Sequence, residues 1–341
     1  MKFVSIGLSV LVAAALSKGL AAQRTLHTGT TLVVIPTLVQ TSGKEIAFSL
    51  KADDFNVMDN GVLQKVTLEE GESRPLALVV LLQTGGAARG KLKNYEHLET
   101  MLAGLVGKAP NTVSIVNFDS RPEAASPFLS GTAGWREAIN QPDAGDSGAA
   151  IFDSILYGVD LLKGQPAGTR RAILLISQER DGGSKAQRKE VLRTLGETDT
   201  ALYSITFSAE KAALKEAFQG PGHLNPPRDF GAGPVVAYFN LDAPLGLAIG
   251  AMRKNTAAEM ASLSGGEAGS FESQGQLDAE LGVLTNHLRN NYLLSFHPTS
   301  NEPGLHTIKV GVSGHPELLV SARSSYWAGE AGGAGEAEGA R

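Results

Sequence analysis

Several short stretches hold residue types that could do chemistry. Gly85-Gly86-Ala87-Ala88-Arg89-Gly90-Lys91 matches G-x-x-x-x-G-K directly after an apolar run, the opening of a phosphate-cradling loop. The residue that should hold magnesium there is Leu92, and the apolar run through Ile173 ends in Ser177-Gln178 without a second acidic ligand. A glycine-rich turn is the simpler reading, ahead of a P-loop-like nucleotide hydrolase. Gly145-Asp146-Ser147-Gly148 has the composition of a serine nucleophile's surroundings. That chemistry needs a histidine base and a second carboxylate in one geometry, and the segment introduces a helix, where Asp146 or Ser147 reads as an N-cap. The seven histidines include no pair at i, i+4 and no H-E-x-x-H, so a zinc enzyme has no support. His97, His287 and His306 read as surface or packing residues, as do Trp135 and Trp327. With no cysteine there is no thiolate ligand either. The chain is expected to be no enzyme and to carry no cofactor.

The elements that position these stretches are organised around Leu76-Ala-Leu-Val-Val-Leu-Leu82. Its five successive aliphatic residues, Leu78 to Leu82, leave no polar face, as in a strand buried on both sides of a parallel sheet. Glycines directly after it let the backbone turn over the strand's carboxyl end, where open α/β sheets place their ligand sites. Downstream, strands at Val113–Phe118, Ala172–Ser177 and Ala201–Phe207 alternate with helical spacings. Those spacings run through Tyr95–Leu105, Ile151–Leu162 and Lys185–Leu195, with two more helices around Leu245–Leu263 and Leu277–Leu288. This rhythm predicts an α/β, doubly wound, Rossmann-like sheet. The Gly- and Pro-rich stretch 220–244 interrupts it and is marked, around His223–Tyr238, as a candidate recognition loop.

Both ends have β character. Thr31–Val39, with Pro36 suggesting an edge strand or a bulge, and the hairpin at Asp59-Asn60-Gly61 precede the α/β region; Tyr292–Phe296, His306–Val312 and Leu318–Trp327 follow it. Neither set can bury its apolar face alone, whereas together they make a sandwich. The expected organisation is a β-sandwich from residues 23–74 and 291–328 with an α/β domain, 75–290, inserted between its halves. The tail 329–341, mostly Gly, Ala and Glu, is expected to be disordered. Residues 1–22 have a basic start at Lys2, an apolar stretch and Leu20-Ala21-Ala22 before Gln23, the pattern of a cleaved signal peptide. Export, to periplasm or cell exterior, without any cysteine fits a bacterial protein. No membrane insertion is expected after cleavage. A formal charge of −5 with no Lys/Arg block argues against nucleic acid as a partner.

Taken in this order, the segments resemble the von Willebrand factor A (VWA) domain family, and within it exported VWA-related proteins of the acidobacterial type. The resemblance is carried by Asp53-Asp54-Phe55-Asn56-Val57 with Asp59-Asn60-Gly61, by Pro75 to Leu82 and by Tyr292-Leu-Leu-Ser-Phe296. It implies a metal-ion-dependent adhesion site: Asp-x-Ser-x-Ser after the first strand, a Thr in a second loop and an Asp after the fourth strand. Here the first motif reads Gln83-Thr84-Gly85-Gly86-Ala87, Ala149 in the Ser147-Gly148-Ala149 loop stands for the Thr, and Gln178, before Glu179 and Asp181, stands for the Asp. Two amides and three side chains without oxygen offer no charge to dehydrate Mg²⁺, so no metal is expected at this position. A displaced cation site from Asp146, Glu179 and Asp181 is weighed against the simpler reading of solvated loop acids. Arg89, Lys91 and Arg180 read as solvated charges bordering the crevice. The resulting expectation is an exported protein-binding module with a cation-independent surface, its partner a protein. The alternative is an architectural subunit of an envelope assembly that uses other faces.

Overall fold

The computed structural model describes residues 32–69, 74–106, 111–130, 135–140, 142–208, 255–300 and 302–328. The segment 1–22 expected to be a signal peptide, the 220–244 stretch with its candidate recognition loop, residues 245–254 of the helix expected around Leu245–Leu263, and the 329–341 tail lie outside these residues.

The α/β region grows from strand β5 (Leu76–Gln83), all of whose residues are buried. Alternate side chains serve two cores. Leu78, Val80 and Leu82 pack with Leu98, Leu102 and Leu105 of helix α1 (Leu98–Val106) and with the leucines of helix α6 (Gln274–Asn290). Val79 and Leu81 face the other layer, with helices α3 (Ile151–Lys163), α4 (Arg188–Glu197) and α5 (Thr256–Ser264). A short helix α2 (Arg136–Asn140) completes the first layer. At roughly 1.5–3 kcal/mol per large aliphatic side chain, burial of β5 outweighs any single loop contact. The ends of this strand are therefore fixed points for the loops that leave them.

Beside β5 run β6 (Thr112–Phe118), β7 (Arg170–Gln178), β8 (Thr200–Phe207) and β9 (Ala268–Ser270), all parallel, in the order β6-β5-β7-β8-β9. The chain leaves β5 towards β6 on one side and returns to β7 on the other. The strand order thus reverses between β5 and β7, where a doubly wound sheet opens its crevice. Gln83 and Gln178 are the last residues of those two strands.

The terminal segments form two antiparallel sheets around one core. The first, ordered β12-β1-β10-β4, uses β1 (Val33–Gln40), β4 (Thr67–Glu69), β10 (Tyr292–Phe296) and β12 (Leu319–Ala322). The second, ordered β13-β11-β2-β3, uses β2 (Phe55–Asp59), β3 (Val62–Gln64), β11 (Gly304–Val312) and β13 (Ser325–Ala328). Val33, Ile35, Val57, Phe296, Ile308 and Tyr326 fill the space between them. The α/β domain is inserted into this β-sandwich.

Pro36 corrects the edge-strand expectation, because β1 is an interior strand. It pairs with β10 over Val33–Thr37 and with β12 only from Thr37 onwards, so at Pro36 just one neighbour asks for ladder hydrogen bonds. Two further helix readings also shift. Residues Gly86–Tyr95 wind as a 3₁₀ segment before α1, and α4 starts at Arg188, since Lys185 and Ala186 spend their amides on the Asp153 carboxylate. The two domains meet where α6 approaches β1: buried His287 sits 2.7 Å from Glu267 through Nδ1 and 3.3 Å from the Gln40 amide nitrogen through Nε2.

Candidate functional site

At the carboxyl edge of the parallel sheet, three loops converge on the end of β5. Gln83 is wholly buried there. Its amide nitrogen donates to the Gly85 carbonyl at 2.9 Å and to Gln178 Oε1 at 3.2 Å, while its oxygen accepts from the Gln178 backbone amide at 2.8 Å. The Gln178 side-chain nitrogen donates in turn to the Arg180 carbonyl at 2.8 Å. The two glutamines thus lock across the switch point of the sheet. Tyr95 stands beneath, its hydroxyl donating to the Gln83 carbonyl at 3.3 Å, with burial pushing that hydroxyl's pKa up.

The second loop closes over the first. Thr84, also buried, donates its amide to the Phe118 carbonyl at 2.9 Å; Gly86 donates to Asp146 at 2.7 Å, and Gly145 to Thr84 at 3.2 Å. A Cβ on Gly85 would lie 2.5 Å from Asp119 Cβ and 2.8 Å from the carbonyl oxygens of Asp146 and Gly148, so only glycine fits. Gly86 follows with φ +55°, in the left-handed region. Ala87 is half-buried on the 3₁₀ segment and Ser147 is exposed on the rim. Ala149 is buried and exchanges two backbone hydrogen bonds of 2.9 Å with Gly182 of the third loop.

The nearby acids have local work. Asp146 accepts from the Ser120 hydroxyl at 2.5 Å, the Gly148 amide at 2.7 Å and the Ser120 amide at 3.1 Å. The Ser120 hydroxyl, then the Gly148 amide, hold its carboxyl below the usual range. This corrects its expected role as an N-cap: helix α3 begins at Ile151, with Ala150 at the cap position and no side-chain cap bond. Asp181 accepts from the Phe152 amide at 3.1 Å and the Ser184 hydroxyl at 2.5 Å, tying the third loop to the first turn of α3. The Glu179 carbonyl accepts from Ala257 in α5 at 3.3 Å. Among the described residues, no three His, Cys, Asp or Glu side chains form a group able to hold a metal ion.

Of the basic residues expected to border the crevice, Arg89 does so, donating to the Gly145 carbonyl at 2.9 Å. Lys91 does not: it is buried and its ammonium donates to the Glu272 carbonyl at 3.0 Å, before α6. Sequence reasoning missed Asp119 and Ser120, which follow β6. Asp119 accepts from the Asp146 amide at 3.0 Å, and its carbonyl accepts from Ala150 at 2.7 Å. Their position after a buried apolar strand was the signal available.

Fold and crevice together define a doubly wound, Rossmann-like α/β domain seated in a β-sandwich. No family model and no curated protein matches the chain. Solved structures similar to it include the SpRpn10 VWA domain, at 12% identity over 42% of this chain and 83% of that one, with a TM-score of 0.33. The conserved hypothetical protein BatB from Bacteroides thetaiotaomicron is similar at 13% identity over 62% of this chain and 99% of its own, with a TM-score of 0.38. Proximal thread matrix protein 1 from the mussel byssus is similar at 11% identity over 64% of this chain, with a TM-score of 0.43, and the chain spans about half of its length, 49%.

Proposed function

We propose that this chain is an exported, non-enzymatic protein-binding module whose partner surface is the carboxyl edge of the parallel sheet, used without a divalent cation. The observation that carries the reading is the Gln83–Gln178 lock at the switch point. In the resemblance to VWA domains these two positions hold the carboxylates of the adhesion site. Here their amides bond each other and the loop backbone, and the other liganding positions are Gly85, Ala87 and Ala149. Mg²⁺ gives up its water only to oxygens that carry compensating charge, and these five residues supply none. The amino-terminal signal pattern supports export, and among the described residues no helix is long and apolar enough to cross a membrane. The inward turn of Lys91 speaks against phosphate cradling in the neighbouring loop.

The test is thermal melting of the mature protein with Mg²⁺, Mn²⁺, Ca²⁺ or EDTA, followed by partner capture. A cation at a hundred times its Kd would add about 2.7 kcal/mol to the native state, so superimposable curves support a cation-free crevice. Charge reversal at exposed Arg89 and a lysine at exposed Ser147 are expected to abolish capture. Capture that survives both changes favours the architectural role through other faces.

A further inference from the structure

At the opposite, amino-terminal edge of the parallel sheet a cavity of about 330 Å³ lies between the α/β domain and the first sandwich sheet. Four arginines line it: Arg74, Arg170, Arg171 and Arg323. Arg170 and Arg171 open β7 and pair in register with Leu76 and Ala77 at the start of β5; Arg323 follows β12 on the sandwich side. Among the described residues that line the cavity, Asp199 is the only acid.

The guanidiniums are held in place mainly by backbone carbonyls. Arg323, with 3% of its side chain exposed, donates to Ser325 and Val34 carbonyls at 3.0 and 3.3 Å and pairs with Asp199 at 2.8 Å. Arg74 donates to the Gly168 carbonyl at 3.0 Å and pairs with Glu69 at 2.8 Å. Arg170 donates to the Leu288 carbonyl at 3.3 Å. Arg171 donates through Nη1 to the Thr198 carbonyl at 3.2 Å, and its Nε, buried, has no acceptor among the described residues. Buried N–H groups are nearly always answered, by protein, by water or by a bound group. Burial chiefly disfavours the charged form of Arg170; Tyr203 opposes that effect and the charge of Arg74 adds to it.

Thr169, Thr198 and Ser264 also line the cavity, and much of the rest of the wall is apolar. Leu76, Leu288, Leu293 and Tyr203 are buried around the arginines, and Val34 and Pro36 continue the surface. The volume falls at the lower end of small-ligand sites, roughly 300–1,000 Å³. We propose that this cavity binds a small organic anion, its carboxylate or phosphate head in the guanidinium cluster with Arg171 Nε as one donor, its hydrocarbon or aromatic body on the leucines. Planar guanidiniums suit such oxyanions because their paired N–H groups match two oxygens at once. The site is separate from the crevice, lies at the other end of the strands and does not depend on the partner-binding reading.

Calorimetric titration of the full chain with phenyl phosphate, phenylacetate, inorganic phosphate and benzylamine tests it. Either aromatic anion is expected to bind, weakening with salt and exceeding inorganic phosphate at least tenfold, while benzylamine gives no heat. Arg171→Gln should weaken binding tenfold or more. Asp199→Asn should tighten it several-fold by removing the carboxylate that competes for Arg323; asparagine tolerates the φ of +49° there. If the Arg171 variant does not fold, the Asp199 variant alone decides. Silence from both aromatic anions, affinity equal to inorganic phosphate, or binding unchanged in Asp199→Asn would overturn the proposal.

Discussion

Replacing Gln83 by Glu changes one amide nitrogen to oxygen and tests whether the crevice is as closed as its hydrogen bonds imply. In the native chain that nitrogen donates at 2.9 Å to Gly85 and at 3.2 Å to Gln178, in a side chain with no exposed surface. An oxygen in its place faces two oxygens. The two lost bonds cost about 1 kcal/mol each. A carboxylate this deep has its pKa raised by about three units, or roughly 4 kcal/mol at pH above the raised value. Because the folded pKa lies above the unfolded one of about 4.3, the penalty is absent below that value, grows as pH rises and levels off near pH 7. Urea unfolding of both proteins at about pH 5 and about pH 8 is the assay, with the stability gap expected to widen from about 3 to about 6 kcal/mol. A gap that does not change with pH would refute a dry, closed crevice. Recovery of the variant by millimolar Mg²⁺ would refute the cation-free reading, since a single new charge would then suffice to hold the ion.

Three further outcomes follow from named contacts. Gly85→Ala drives a methyl against Asp119 and two carbonyls, and should lower unfolding free energy by about 1–3 kcal/mol in urea titrations while speeding proteolysis near Asp146. Asp146 has its folded pKa below the ordinary 3.8, so its stabilisation of the loop is complete above that pH and is lost as pH falls below it. Hydrogen exchange at the Ser120 and Gly148 amides should accelerate in that acid range, and already at neutral pH in Asp146→Ala. In the sandwich, buried His306 sits 2.9 Å from Asp59 through Nδ1 and 2.7 Å from the Glu302 carbonyl through Nε2, with the Tyr326 hydroxyl donating to Asp59 at 2.9 Å. His306→Leu leaves the Asp59 carboxylate buried with Tyr326 as its remaining side-chain partner, and should cost about 3–5 kcal/mol in chemical denaturation.

What could be read from the sequence was whatever an apolar period encodes. Leu78 to Leu82 has no polar face because both faces meet helices, and that run alone announces a central parallel strand. The sandwich was legible through its incompleteness, since neither terminal set of strands could cover itself. Position-specific geometry was hidden. Nothing local says that Lys91 turns inward to Glu272, or that Asp146 serves Ser120 and leaves the cap of α3 to Ala150, because both choices depend on a loop delivered by another strand. The arginine cavity was hidden for the same reason: Arg74, Arg171 and Arg323 come together only when the sandwich folds back on the amino-terminal edge of the sheet.

The crevice also shows why charge and packing there should be considered together. Restoring carboxylates at positions 83 and 178 would return two anionic oxygens, yet the intervening space is already taken by the Asp119–Ser120 loop, which lies within contact of any Cβ at Gly85. A serine at that position collides before it can offer its hydroxyl. Asp119 and Asp146 in turn hold each other's loops by hydrogen bonds that a cation would have to break. A cation site would therefore need new ligands and a retracted β6 loop at once, so single substitutions in either place should move stability well before they create affinity for an ion.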